Sequence, residues 1–414
     1  MLRLRSLIFR PRSLLLSSVA LAMLGGCATA PSRPPIAFTG DPVIDGNAQL
    51  AAAPARDRAL WEYRIAASAL RFGQFQEAKA KLDDAIGLTA GTLASSGADA
   101  AKARRLFGAE SAKTFIGEPY ERIMASFYRG VLYWNDGEPD NARALFRSGE
   151  FIDSDTENKS YAGDWVLLDY LDGYVTARLT GEGAGEDALA RARANAQAQG
   201  RSVQLPDYDR SANVLFFVEY GRGPRKYAGG EHGEQLKFFT EPSKVASAEL
   251  VIAGRTVALP PYDDLNYQAT TRGGRVMDHI LGNKAVFKET TSNVGDVALV
   301  GAAATAAYGR GEDSGKAALA LAAVGLVSKL ASAATQTSAD TRTWDNLPQY
   351  LSFAALRLAP DTYEAKLHFY DSSGRRLENR TQTFTVTVPA RDVSTIAGAS
   401  APQDVVVFRS ELPN

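Results

Sequence analysis

Val214-Leu215-Phe216-Phe217-Val218 is where this chain changes character. The run is too short for a helix, and it is made of β-branched and aromatic residues. It therefore reads as a buried strand. Upstream, from Arg56 to about Gly200, long proline-free runs of Ala, Leu, Arg and Glu are broken by Gly73, Gly87, Gly117-Glu118-Pro119, Gly137 and the glycines from Gly181 to Gly185, a helical pattern. Downstream, from Ser211 onward, short strand-like runs such as Leu250-Val251-Ile252 recur. Helices first and strands second predict an α+β chain, with helical hairpins at 56–200 and a β-rich, sandwich-like domain at 211–410.

Within Thr362–Val388 the alternation is explicit. Tyr363, Ala365, Leu367 and Phe369 share one strand face, while Glu364, Lys366, His368 and Tyr370 share the other. Asp371-Ser372-Ser373-Gly374 supplies a turn, and Phe384, Val386 and Val388 alternate with Thr383, Thr385 and Thr387. A hairpin with one dry face follows, closed by a last strand at Val405–Phe408. Between these strand blocks, residues 274–335 are helical in composition and rich in Gly and Ala. The wholly apolar run of that segment, Ala317–Val327, lies within the 12 residues between Lys316 and Lys329. About 20 are needed to span a bilayer, so the expectation is a packed insertion.

The helical half contains an internal similarity. Gly73-x-Phe75-x-x-Ala78-x3-Leu82-x-x-Ala85 and Gly137-x-Pro139-x-x-Ala142-x3-Phe146-x-x-Gly149 share spacing, and Ile65-Ala66 and Gly130 with Tyr133 precede them at the small and large positions of a partner helix. These resemble tetratricopeptide repeats, departing from that family at Glu62 and Pro139, and lie 64 residues apart instead of 34. A weaker third pair falls around Asp164–Ala196. In this register Leu60, Tyr63 and Leu70, then Met124, Phe127, Val131 and Trp134, share the concave face. Exposed there, they would receive a peptide; alternatively they pack against other helices or the β region. Tyr63, Met124, Phe127, Val131 and Trp134 are the candidate partner-binding residues.

At the N-terminus, Arg3, Arg5, Arg10 and Arg12 precede an apolar run at Leu14–Leu24, then Gly25-Gly26-Cys27. Leu24-Gly25-Gly26-Cys27 resembles the lipobox of bacterial lipoproteins. The resemblance implies a signal peptide at 1–26, cleavage before Cys27, and acylation of its sulfur and new amino group. Several acyl chains at about 0.8 kcal/mol per buried methylene make a firm anchor. Ala28 in place of aspartate implies sorting to the periplasmic face of the outer membrane. Residues 27–55 carry five prolines among small residues and read as a flexible tether.

Composition narrows the chemistry. Beyond residue 27 the chain has 42 cationic against 47 acidic side chains, which does not suit a nucleic-acid binder. A single cysteine and three separated histidines argue against a metal or cofactor, and none is expected. Gly309 to Lys316 misses the phosphate-loop spacing, because Arg310 stands where its first glycine belongs. His232, His279 and His368 have no sequence partners for acid–base work. Paired carboxylates such as Asp263 with Asp264, or Glu231 with Glu234, stay open as hydrolytic candidates, although adjacent strand residues point to opposite faces. The compact basic segment Arg222-Gly223-Pro224-Arg225-Lys226-Tyr227 reads as a solvated loop.

The whole order of features, with Asn213 to Lys226, Gly282-Asn283-Lys284-Ala285-Val286-Phe287-Lys288 and Ala339-Asp340-Thr341-Arg342-Thr343-Trp344-Asp345-Asn346-Leu347-Pro348, resembles a family of uncharacterised proteobacterial lipoproteins with tetratricopeptide-like repeats. The resemblance implies a role in envelope assembly and names no catalytic residue. The last motif also has a physical reading as a corner: Asp340 pairs with Arg342, Trp344 plugs the sandwich end, and Pro348 precedes a strand. The expected function is a non-enzymatic, lipid-anchored periplasmic scaffold that engages an envelope protein through its helices. The alternative is a glycan-binding protein or carboxylate-dependent hydrolase acting through the β domain.

Overall fold

Strand β1 (Val214–Arg222) is buried along nearly its whole length because it separates two cores. A computed structural model of the chain describes residues 37–95, 113–153, 163–181, 183–200, 205–230, 235–241, 243–271, 339–390 and 404–412. Val214, Phe216, Val218 and Tyr220 enter one apolar cluster, and Leu215 and Phe217 enter the other. This is the two-residue period of a strand with apolar neighbours on both sides.

The first side is a sandwich. Sheet order β10-β1-β7-β6, with β7 at Pro348–Leu356, β10 at Val405–Ser410 and the short β6 at Asp263–Asp264, packs on a second sheet, β5-β4-β8-β9. The latter is formed by β4 (Ser247–Ile252), β5 (Arg255–Leu259), β8 (Asp361–Tyr370) and β9 (Gln382–Val388). Leu250, Ile252, Ala365, Leu367, Phe369 and Val386 fill the space between the sheets. The dry face read from Thr362–Val388 is thus the inner face of the outer sheet. The β4–β5 link is a two-residue turn, Ile252 pairing with Arg255, in which Ala253 and Gly254 both have positive φ, 52° and 70°. That geometry favours Asn-Gly or Gly-Gly, so Ala253 stores strain.

On the other side of β1 lie three antiparallel helical hairpins: α2 (Arg58–Arg71) with α3 (Phe75–Ser95), α4 (Pro119–Asn135) with α5 (Pro139–Asp153), and α6 (Val166–Thr180) with α7 (Glu186–Ala198). Their packing follows the sequence register. Ala78, Leu82, Ala85, Ala142 and Phe146 are fully buried. Gly130 of α4 lies so close to Phe146 of α5 that a β-carbon there would meet the ring at 2.6 Å. The atypical Glu62 is buried and pairs with Arg58 at 2.7 Å, and Pro139 opens α5 as its first residue, where its missing N–H costs nothing.

Three expectations are corrected. The tether does not extend to residue 55, because Pro42–Ala52 is a helix, α1: Asp41 caps it by accepting from Val43 N at 2.8 Å and Ile44 N at 3.1 Å, and Pro42 stands at its first turn. Gly46 lets α1 seat against Ile65 of α2. The basic loop is a strand, since Arg225–Gly229 (β2) pairs with Gln235–Phe239 (β3) in a separate ribbon. The helical and β regions are not independent domains, for Gly40–Asn414 is one compact unit whose larger core includes both. A short helix, α8 (Leu265–Thr270), follows β6. Cys27, the segment 274–335, His232, His279, Glu231 and Glu234 lie outside the described residues. No helix among the described residues is long and apolar enough to cross a membrane.

Candidate functional site

The five residues expected to receive a partner are occupied by the chain itself. Tyr63, Met124, Phe127, Val131 and Trp134 are each at most 2% exposed. Phe127 and Trp134 meet Phe217 of β1 with ring centroids at 6.1 and 6.2 Å, and Tyr63 stacks on Trp344 at 4.5 Å with planes 7° apart. The concave helical face is filled by the first sheet, because covering these aromatics with Leu215, Phe217, Leu351 and Phe353 removes more apolar area from water than leaving a groove. Exposed peptide capture on this face is therefore corrected.

Polar clamps hold that seam. Glu219, one residue past the apolar run of β1, accepts from Arg71 Nε at 2.6 Å and from the Tyr128 hydroxyl at 2.5 Å, while Arg71 also donates to the Asn346 carbonyl at 2.7 Å. Burial, and then the charge of Glu219, push the Tyr128 phenol well above its ordinary range. Glu121 forms the second clamp. It accepts from Glu118 N in a capping box, from Trp344 N at 2.7 Å, and from Lys226 Nζ at 2.5 Å. Burial raises the Glu121 carboxyl, and Lys226 opposes the shift. Lys226 is thus no solvated cation.

The Ala339–Pro348 segment serves the same seam. Arg342 pairs with Asp340 at 2.6 Å, as its spacing implies, but also with Asp57 at 2.6 Å. Asn346 donates to the Arg64 carbonyl at 2.9 Å. Trp344 plugs the interface between helices and sheet, not the end of the sandwich, since its neighbours Tyr63 and Tyr128 are both helical. Asp263 and Asp264 do point to opposite faces, and both cap helices. Asp263 accepts from Val166 N and Leu167 N at 2.9 and 2.8 Å at the start of α6, and Asp264 caps α8 through Asn266 N. His368 sits against the Thr381 hydroxyl at 3.2 Å.

One open feature interrupts the seam. A cleft of about 1070 Å³ lies where the α4–α5 turn, the end of α6, the approach to β1 and the β7–β8 connection converge. Its floor is rigid. Asp404 accepts from Arg178 at 2.7 Å and from the Trp134 indole N–H at 3.0 Å, and Arg178 also donates to the Ala212 carbonyl. Around that floor stand Arg210, Arg255 and Arg357, all exposed, with no ion pair to another described residue. A smaller hollow of about 510 Å³ beside Trp61 differs, because Arg64, Lys226 and Arg342 at its wall are engaged by Asp345, Glu121 and Asp57.

Sequence reading had no access to this cleft. Its arginines come from four separate segments, and none belongs to a recognisable motif. Among the described residues, no group of three His, Cys, Asp or Glu is placed to hold a metal ion. No family model, curated protein or solved structure matches the chain.

Proposed function

We propose that this chain is a binding or scaffolding protein of the cell envelope, anchored through acylated Cys27 at the periplasmic face of the outer membrane, and a member of the lipoprotein family that it resembles. It engages an envelope protein partner. The engaging surface is the cleft at the end of the helical hairpins, not their concave face. The observation that carries this reading is an arginine-lined cleft on a molecule whose concave repeat face is filled by its own sheet.

The anchor and the cleft are tested separately. Cys27→Ser should release the protein from outer-membrane fractions, and retention there would remove the lipoprotein reading. A photo-crosslinking residue at Ala359, an exposed cleft position, should capture an envelope protein in cells. Capture that is equally strong from Glu364, exposed on the outer face of β8, would show that the cleft is not the engaging surface.

A further inference from the structure

Resting on that reading, we infer that the cleft takes an extended acidic peptide segment of the partner. Among the described residues four arginines line it against two aspartates, Asp140 and Asp404, and Asp404 is already paired with Arg178. Arg210, Arg255 and Arg357 therefore face the opening with no carboxylate partner among the described residues. Each guanidinium offers a planar fork that matches a carboxylate bidentately, and three forks from separate segments suit carboxylates spaced along a chain better than one compact anion.

The remaining wall decides between anionic polymers. It is aliphatic and proline-rich, with Leu179 49% exposed and Pro139, Pro360 and Pro389 around it. Among the described residues of the lining the one aromatic ring, Trp134, is 1% exposed and its indole N–H is committed to Asp404, so these residues offer a sugar ring no stacking platform. Leucine and proline surfaces accommodate the side chains between the acids of a peptide. The concave shape does not fit a flat lipid headgroup surface. A volume of about 1070 Å³, at the upper end of small-ligand sites, also accommodates a segment of extended chain.

The test uses the full acylated chain extracted in detergent, with a fluorescein-labelled decapeptide of alternating Glu and Ala, the corresponding Lys and Ala peptide, and a sulfated hexasaccharide. The Glu/Ala peptide should bind, with affinity falling as salt rises, since exposed charges are screened within about 10 Å at 0.1 M. Arg357→Glu and Arg210→Glu should each weaken it at least tenfold, whereas Arg376→Glu, outside the cleft, should leave it unchanged. Both cleft arginines are exposed, and an unaltered urea midpoint verifies that the variants fold. Equal binding of the Lys/Ala peptide, indifference to both cleft substitutions, or tighter binding of the hexasaccharide at matched ionic strength would overturn the inference. Crosslinking from Ala359 that persists while the acidic peptide fails would overturn the charge assignment alone. Peptide binding without any capture in cells would instead remove the envelope-partner reading.

Discussion

The two faces of β1 are built by different chemistry. Toward the outer sheet, Val214, Phe216, Val218 and Tyr220 are apolar apart from one phenol, which donates to the Leu259 carbonyl at 3.0 Å. Toward the helices, Leu215 and Phe217 are followed by a buried carboxylate, Glu219, bound by Arg71 and Tyr128. A face held by packing tolerates small slips, whereas a buried ion pair is satisfied in one register only. The difference implies that the sandwich side is held by packing, whereas the helical seam, which belongs to the larger core, also has its alignment set by the buried pair. That alignment also brings Arg178, on α6, to Asp404 at the floor of the cleft.

The comparison is broken most severely at its two centres. Arg71→Ala leaves Glu219 buried and uncompensated, and should cost about 3–5 kcal/mol in urea unfolding. Phe216→Ala, on the sandwich face, should cost a similar ~3–5 kcal/mol through lost transfer energy and a cavity. The two sites part company on rescue. Replacing Arg71 and Glu219 together by Met should recover most of the loss, because apolar substitutes for a buried pair are often neutral. A rescued double variant whose hydrogen-exchange protection at the seam matches that of the original chain would defeat the claim that the pair sets alignment.

A milder intervention enters the seam from behind. Gly130→Val drives a side chain into Phe146, which packs at 6.4 Å from Phe127, and Phe127 in turn touches Phe217. Overpacking of this kind should cost about 1–3 kcal/mol. Gly87→Ala is its control: a β-carbon there meets nothing within 4 Å, so the same helical layer should gain about 0.5–1 kcal/mol from improved helix propensity. Equal effects of the two substitutions would mean that the repeat register is not what packs these helices.

On the sandwich side, Ala253→Asn relieves a left-handed alanine and should raise stability by about 1 kcal/mol without altering hydrogen exchange at the seam.

The smallest effect concerns pH. Burial, with Asp169 and Asp172 nearby, raises the Glu150 carboxyl to about 7. A raised carboxylate binds its proton more tightly in the folded state, so its contribution is fully present below the ordinary carboxylate range and is lost as pH rises through about 7. Glu150→Gln should therefore flatten the pH dependence of the thermal midpoint between pH 5 and pH 7, by an amount under ~1 kcal/mol given its partial exposure. A sloping profile left unchanged would place that response elsewhere, with the seam carboxylate Glu121 the next group to replace.

What the sequence determined by itself was local. The five-residue run at 214–218 marked the change from helix to strand, and the Gly, Ala and Phe spacing located the helical hairpins, because periods of 3.6 and 2 are written within single turns and pleats. The α1 helix was legible too, in Asp41-Pro42, but proline content masked that cap. Tertiary structure alone decided the rest. Arg71 and Glu219 are 148 residues apart, Trp134 and Asp404 are 270 apart, and Asp263 caps a helix that begins 97 residues earlier. No periodicity encodes such pairings. The concave aromatics had the same pattern whether they faced a partner or the chain's own sheet. Only the fold, by laying β1 across them, made them core, and only the fold gathered arginines from four separate segments around one cleft.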